Sequence, residues 1–219
     1  MSVLKKSLFI ILMVLLLDQI LKFWIKTNMF IGQEYHVFGN WFIIHFTENN
    51  GMAFGMEFGG NWGKLILSVF RIIAVIAIGW YLIKITKKNV SFGFVLSLSL
   101  IFAGAVGNII DSAFYGLLFN DSYFQVAEFL PKEGGYGSFL HGRVVDMFYF
   151  PIFDGHFPLW LPFLSGKYFE FFAPVFNIAD SSITVGVFFM IIFQKKFFLK
   201  QAEEKKDNKD NNNINPETL

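Results

Sequence analysis

The sequence contains no cysteine, which excludes disulfide bonds, thiolate metal sites and cysteine nucleophiles. Charged residues are also scarce: they make up 16% of the 219 residues, against about 25% in a typical soluble domain. The net charge of +1 provides no overall field that would attract nucleic acid. Hydrophobic residues, by contrast, make up 54% of the chain, which indicates a membrane protein.

Several catalytic motifs are missing as well. The four histidines (His36, His45, His141 and His156) do not have the spacing of metal ligands. The chain has neither a Gly-x-Ser-x-Gly motif for a serine nucleophile nor a Gly-x-x-x-x-Gly-Lys-Ser/Thr phosphate-binding loop. Carboxylates remain as candidates for catalysis, and their chemistry needs no metal or organic cofactor.

Four stretches are long and apolar enough to span a membrane: residues 7–25, 65–83, 92–111 and 174–193. The first imitates a secretory signal peptide, but no small-residue cleavage site follows, so we predict an uncleaved helix. Prolines interrupt residues 148–172, whose aromatic content is typical of a membrane interface. The sequence therefore predicts an all-α polytopic membrane protein with four transmembrane helices.

Lysines cluster before the first helix, between the second and third helices, and after the fourth. The positive-inside rule then places both termini in the cytoplasm and two loops, residues 27–64 and 112–173, outside. Within residues 35–46, a Gly-Asn pair between two β-forming runs predicts a small extracytoplasmic hairpin. We expect residues 1–200 to form one membrane domain and the polar residues 201–219 a disordered cytoplasmic tail.

Six polar residues lie within the predicted spans: Asp18, Lys22, Asn108, Asp111, Asn177 and Asp180. At 1.5 Å per residue, the first two lie roughly 17–22 Å from the cytoplasmic end of their helix, and the next two roughly 24–28 Å. The last two lie roughly 5–9 Å below the outer end of the fourth helix. All six converge on one level in the outer half of a membrane core about 30 Å thick.

The spacing of these residues suggests chemistry. Asn108 and Asp111 repeat the Asn-x-x-Asp spacing of Asn177 and Asp180, so each helix presents an amide and a carboxylate on one face. Two carboxylates held close together cannot both ionise readily, so one can activate water while the other supplies a proton.

Simpler interpretations remain open. Asp18 and Lys22 are four residues apart and could form a structural ion pair within one helix. The two asparagines could serve only as hydrogen-bonding groups between helices. Asp146 lies outside every span and, taken alone, could be a solvated surface residue.

Five short segments, in order, resemble motifs of the lipoprotein signal peptidases (signal peptidase II). Residues 49–55 read NNGMAFG, like the family's Asn-x-Gly-x-Ala-Phe motif, and residues 103–111 read AGAVGNIID, like its Gly-Gly-x-x-Gly-Asn-x-x-Asp motif. Residues 144–148 (VVDMF) resemble Val-Val-Asp-Phe, and residues 176–181 (FNIADS) resemble Phe-Asn-x-Ala-Asp-Ser. The DQILK segment at residues 18–22 also fits.

The resemblance spans about residues 7–195 and implies an aspartyl endopeptidase of the bacterial inner membrane. Such an enzyme cuts the signal peptide from a diacylglyceryl-modified prolipoprotein just before the lipidated cysteine. Its implied partners are this substrate and membrane lipid, and we expect a monomer. The family's catalytic pair maps onto Asp146 and Asp180. Its substrate-binding or supporting positions map onto Asp18, Lys22, Asn49, Gly51, Asn108, Asp111, Asn177 and Ala179.

Two departures from the family stand out. Ser112 occupies the position where the family usually has an arginine, and we hypothesise that Arg143 takes over that charge. The outer segment is also longer than usual, and its additions around residues 133–137 and after residue 148 could form a lid or an interfacial platform.

The competing interpretation is a proton- or ion-coupled transporter, because buried carboxylates also mark proton relays. Four helices without an inverted repeat would make a small transport unit, however. A non-enzymatic membrane scaffold would leave the repeated Asn-x-x-Asp pairs unexplained.

Overall fold

The computed structural model describes residues 2–50, 60–88, 90–151, 153–171 and 174–193. Its helices are α1 (Val3–Asn28), α2 (Gly60–Thr86), α3 (Phe92–Ile110), the short α4 (Gly116–Leu118) and α5 (Ile178–Phe193). Its strands are β1 (Glu34–Phe38), β2 (Phe42–Asn49), β3 (Val144–Tyr149), β4 (Phe153–His156) and β5 (Tyr168–Phe171). The predicted tail, residues 201–219, lies outside the described residues.

The predicted apolar helices and the small β element are confirmed. Within the described residues, α1, Gly63–Thr86 and Phe92–Leu118 are each long and apolar enough to cross a membrane, and α5 is a shorter apolar helix. In a helix the backbone groups bond to one another, as a hydrocarbon core requires. α5 begins four residues later than predicted, because Phe176 forms an antiparallel bridge with Phe148 just before it.

The third helix extends past its predicted end at residue 111. A π-helical turn, Asp111–Tyr115, follows α3 directly and leads into α4. The wider turn adds one residue to the repeat, and it buries Asp111, Ser112 and Tyr115 together. Turns of this kind often mark functional sites in helices.

The chain divides into two compact units. The helical unit comprises Met1–Leu15, Ile73–Val106 and Ala179–Leu219, and the sheet unit comprises Leu16–Ile72 and Gly107–Ile178. The core of the helical unit consists of small and branched apolar side chains with one aromatic ring: Ile11, Leu82, Ile85, Phe94, Val95, Leu98 and Ala103.

Within the helical unit, α3 and α5 pack with little space between their backbones. A Cβ atom at Gly104 would collide with the carbonyl oxygen of Ala179 and would lie 2.7 Å from Cγ1 of Ile183. The Ser182 hydroxyl donates to the carbonyl of Leu100 at 2.8 Å. Small residues at such crossings let helices approach closely. The resulting van der Waals packing stabilises helix association inside a bilayer, where the hydrophobic effect does not.

We expect Gly104→Ala to lower the free energy of unfolding by about 1–3 kcal/mol, because the new methyl group meets a rigid backbone carbonyl. Gly79→Ala is the matched control, since the three atoms nearest to its Cβ would all belong to the movable ring of Phe102, the closest at 2.9 Å. Unfolding of both variants in detergent measures the difference. Equal stability of the two would contradict this close packing.

The sheet unit contains an antiparallel sheet with the strand order β1-β2-β3. The β1–β2 hairpin confirms the prediction for residues 35–46, whereas β3 comes from the second outer loop and was not predicted. β3 pairs with β2 so that Asp146 lies opposite Thr47 and Val144 lies opposite Asn49. The β4–β5 pair forms a separate two-stranded sheet. The core of the sheet unit consists of Ile25, Met29, Phe46, Tyr115, Phe119, Ala127, Val145 and Met147.

Candidate active site

A buried ammonium group joins α1 to the end of α3. Lys22 Nζ lies 2.9 Å from Asp18 Oδ2 and 2.7 Å from Asp111 Oδ2, and it donates to Asn108 Oδ1 at 3.0 Å. These three acceptors match the three donors of an ammonium group. The side chains of Lys22 and both aspartates are almost completely buried. These contacts join four of the six residues that the sequence placed at one level. The ion pair that was possible within α1 is present, and it also includes a carboxylate from the π-helical turn.

Asp111 connects this cluster to β3. Its Oδ1 accepts from Gln19 Nε2 at 2.9 Å, and its Oδ2 accepts from the backbone N–H of Val145 at 3.3 Å. The Tyr115 hydroxyl in turn donates to Gln19 Oε1 at 3.2 Å. Asp111 therefore fixes the strand residue immediately before Asp146.

Two asparagines hold the Asp146 carboxylate. Asn177 Nδ2 donates to Asp146 Oδ1 at 2.7 Å and lies 3.1 Å from Asn108 Oδ1, and Asn49 Nδ2 donates to Asp146 Oδ2. Asn108 Oδ1 thus accepts from both Lys22 and Asn177. The contacts form a continuous path from the buried ammonium to the Asp146 carboxylate.

The interpretation of Asp146 as a solvated surface residue is wrong. Asp146 is only 3% exposed, because it lies within β3, where Val144, Val145 and Met147 are buried too. A carboxylate in such a position is costly unless other groups compensate for its lost hydration. The side-chain amides of Asn49 and Asn177 provide two of the hydrogen bonds that do so.

The remaining predicted site residues lie near the start of α5 and after β2. Asp180 is half-buried in the first turn of α5, three residues after Asn177, and Ala179 between them is buried. Gly51 lies outside the described residues. Its neighbour Asn50 accepts a hydrogen bond from Lys64 Nζ at 2.9 Å, and Lys64 also donates to the carbonyl of His141 at 2.8 Å.

The structure contains a second buried charge cluster that was not predicted. Lys26 forms an ion pair with Glu48, and its Nζ also donates to Ser122 Oγ at 2.7 Å. The Lys26 ammonium lies 5.0 Å from the centre of the Tyr136 ring. Lys26 follows Lys22 by one helical turn, so it lies on the same face of α1. That spacing was a signal for the cluster, but the predicted span ended at residue 25.

Arg143 completes this second cluster. Its Nη1 lies 3.1 Å from Glu48 Oε2 and 3.4 Å from Asp121 Oδ1, and its guanidinium packs 4.7 Å from the Tyr136 ring. Partial burial disfavours the charge, but the hydrogen bonds to Glu48 and Asp121 prevail and raise the pKa of Arg143. Burial, followed by the Glu48 charge, raises the pKa of the Tyr136 hydroxyl, which accepts a hydrogen bond from the Arg143 backbone N–H.

The hypothesis that Arg143 supplies the charge missing at Ser112 stays a prediction. We expect Arg143→Gln to lower cleavage roughly tenfold, since hydrogen bonds to charged groups contribute about 1.5–3 kcal/mol. Arg143→Lys should recover part of the activity, because it restores the charge but not the two-pronged geometry. Initial rates of substrate cleavage measure both effects, and unchanged cleavage by Arg143→Gln would end the hypothesis.

The arrangement suits carboxylate chemistry. Within the described ranges, no group of three or more histidine, aspartate and glutamate side chains is placed to hold a metal ion. The structure instead presents a buried carboxylate, Asp146, that accepts hydrogen bonds from the side-chain amides of Asn49 and Asn177. A carboxylate fixed in this way is suited to bind and activate a water molecule when a second acid lies within reach.

Comparison with known proteins identifies the family. The model of the family described as Signal peptidase (SPase) II matches residues 10–196. The lipoprotein signal peptidase of Porphyromonas gingivalis is 50% identical over 184 residues, which cover 84% of this chain and 80% of that protein. The lipoprotein signal peptidase of Staphylococcus aureus is 30% identical over 201 residues, which cover 92% of each protein.

A solved structure agrees with these matches. It is a bacterial membrane enzyme determined by the in meso method at 2.3 Å resolution, and it is 28% identical, with a TM-score of 0.57 and coverage of 88% of each chain. The comparisons give the transporter interpretation no support. With its apolar helices, the chain is a bacterial membrane protein, and it belongs to the signal peptidase II family of lipoprotein signal peptidases.

Proposed function

We propose that this protein is an aspartyl endopeptidase that removes signal peptides from diacylglyceryl-modified prolipoproteins, cutting just before the lipidated cysteine. The supporting observation is the buried Asp146 carboxylate, held by Asn49 and Asn177, in a member of the signal peptidase II family. The family supplies the reaction class, and the fixed carboxylate supplies a group that can perform it.

In the proposed mechanism, Asp146 and Asp180 act as a pair. The ionised member takes a proton from a water molecule, which attacks the scissile carbonyl carbon. The protonated member polarises the carbonyl oxygen and later passes a proton to the leaving amine. The titration belongs to the pair, so the single proton is not assigned to either residue.

The other predicted site residues have supporting roles in this proposal. Lys22, with Asp18 and Asp111, fixes Asn108, and Asn108 in turn accepts a hydrogen bond from Asn177. Because Asn177 also donates to Asp146, the buried ion cluster sets the orientation of the catalytic carboxylate. Asn49 and Ala179 would line the substrate path next to the pair. The resemblance implies a supporting role for Gly51 too, which lies outside the described residues.

The proposal also includes the placement of the protein in its membrane. Residues 1–200 would form one domain in the bacterial inner membrane, with both termini in the cytoplasm. A monomer is sufficient, since the residues with proposed roles lie in one chain. The carboxylate pair would lie near the outer surface, where water reaches it while the acyl chains of the substrate remain in lipid.

Cleavage of two forms of one proprotein tests the proposed substrate class. The purified protein is incubated with a proprotein that carries the diacylglyceryl group and with the same proprotein before modification. We expect cleavage of the lipidated form, with a product that begins at the modified cysteine by mass spectrometry. Equal cleavage of both forms would contradict the requirement for lipid, and cleavage of neither would overturn the proposed function.

A further inference from the structure

The connection between β4 and β5 turns large apolar side chains outward. Leu159 is 83% exposed, Trp160 79% and Phe163 94%. They lie within the segment Phe157–Lys167, which reads FPLWLPFLSGK and contains no acidic residue. We call this segment the apolar tip. Single exposed apolar residues are common on protein surfaces, but three large ones in five consecutive positions mark an interaction surface.

The backbone of the apolar tip is hydrogen-bonded within the tip itself. The backbone N–H of Phe157 donates to the carbonyl of Lys167 at 2.9 Å, and the N–H of Gly166 donates to the carbonyl of Phe157 at 3.1 Å. The N–H of Lys167 donates to the carbonyl of Leu164 at 3.0 Å, and the Ser165 hydroxyl donates to the carbonyl of Leu159 at 2.8 Å. These bonds reduce the cost of moving the tip from water into a less polar medium.

Phe163 has an unusual backbone conformation at the end of the tip. Its φ is 69°, in the left-handed region that costs most residues other than glycine roughly 1 kcal/mol or more. The surrounding turn nevertheless holds this backbone and directs the phenyl ring away from the protein. The tip therefore presents the Phe163 ring to its surroundings rather than to the rest of the protein.

The chain also constrains where the apolar tip can lie. The polypeptide leaves the membrane after α3 and returns in α5, so the whole intervening segment lies on one side of the bilayer. β5 ends at Phe171 and α5 begins at Ile178. The seven Cα–Cα steps between these two residues span at most roughly 25 Å. The hairpin is thus tethered close to the membrane surface.

We propose that the apolar tip inserts into the interfacial region of the lipid leaflet on that side and anchors the β4–β5 hairpin there. Trp160 suits the headgroup level, where amphipathic rings are enriched. Leu159 and Phe163 enter the upper acyl-chain region, and the exposed Lys167 at the base of the tip reaches phosphate groups. The tip is therefore an interfacial platform rather than a lid that closes over the substrate. This proposal does not depend on the cleavage mechanism.

Spin labelling tests the proposal directly, because the natural sequence has no cysteine. The variant Phe163→Cys carries one nitroxide in the full-length protein, reconstituted in vesicles of phosphatidylethanolamine and phosphatidylglycerol. Power saturation compares collisions with oxygen, which concentrates in lipid, and with a water-soluble nickel complex. We expect a severalfold higher ratio of oxygen to nickel collisions than for Glu133→Cys, an exposed position in the same outer segment.

A second labelled variant tests whether the apolar side chains of the tip cause its lipid exposure. In Phe163→Cys with Leu159→Ser and Trp160→Ser, we expect the label to move into water, because the neighbouring apolar anchors are gone. Preferential nickel collisions at Phe163→Cys alone would overturn the proposal. If the label is exposed to lipid only when lipidated proprotein is bound, the tip is a lid and the proposal is overturned. If spin–spin broadening disappears on dilution with unlabelled protein, the tip contacts a second copy of the chain and the proposal is likewise overturned.

Discussion

Asp146→Asn is expected to reduce the rate of prolipoprotein cleavage by at least about 10³-fold, because the variant lacks an ionisable group that can exchange a proton with water. The shape of the side chain is retained. In the unaltered protein, the amides of Asn49 and Asn177 donate to Asp146. In the variant, Asn177 can still donate to the oxygen that the new side chain retains, and Asn49 can rotate to present its oxygen to the new amide group. The loss should therefore appear in kcat, with the fold intact.

The control for this prediction is a carboxylate-to-amide change on the surface. Glu128→Gln replaces an exposed carboxylate in the second outer loop and should cleave at the rate of the unaltered protein. Circular dichroism and the unfolding midpoint of Asp146→Asn show whether the helices remain. A folded Asp146→Asn variant with normal turnover would exclude Asp146 from the chemistry.

Lys22→Met is expected to have the largest effect on stability, about 3–5 kcal/mol, because breaking a buried ion pair leaves uncompensated charge. Here two carboxylates, Asp18 and Asp111, would lose the same ammonium partner. Asn108 would also lose a donor, so we expect cleavage to fall together with stability. Unfolding in detergent at fixed pH measures the change.

Lys5→Met provides the matched comparison, because it makes the same substitution on an exposed position of the same helix. We expect its stability to lie within about 0.5 kcal/mol of the unaltered protein. If Lys22→Met were as stable as Lys5→Met, the buried cluster would not hold the end of α3 to α1.

The sequence placed the members of the buried ion cluster at one depth because helices have a constant rise. Depth along a straight helix follows from residue number, so Asp18, Lys22, Asn108 and Asp111 could be placed at one level without any knowledge of packing. The same arithmetic could not predict the π-helical turn after α3. That turn depends on how Tyr115 and its neighbours pack into the core, and no periodic pattern marks it.

Asp146 was harder to predict from the residues themselves. Its burial depends on the pairing of β3 with β2, whose residues are about one hundred positions earlier in the chain. A strand with both faces covered shows no alternation of polar and apolar residues, so its sequence does not indicate which side chains are buried. Only the resemblance to a known family singled out this aspartate.

The second charge cluster was missed for a related reason. Lys26 lies just beyond the predicted end of the first span, where a lysine is expected to reach toward the lipid headgroups. Its actual partner, Glu48, lies in β2, and Tyr136 and Arg143 come from the enlarged outer segment. Such contacts between distant segments cannot be derived from local spacing.

We propose that Asp146 and Asp180 act as one catalytic unit, and a double-mutant cycle separates this from independent roles for the two residues. The turnover of lipidated prolipoprotein is measured for Asp146→Asn, Asp180→Asn and the double variant, each confirmed to be folded. Residues that act as a unit have strongly non-additive effects, so each single variant should fall to the residual rate of the double variant. Multiplicative losses, or a single variant that retains substantial turnover, would show that the two aspartates do not act as a pair.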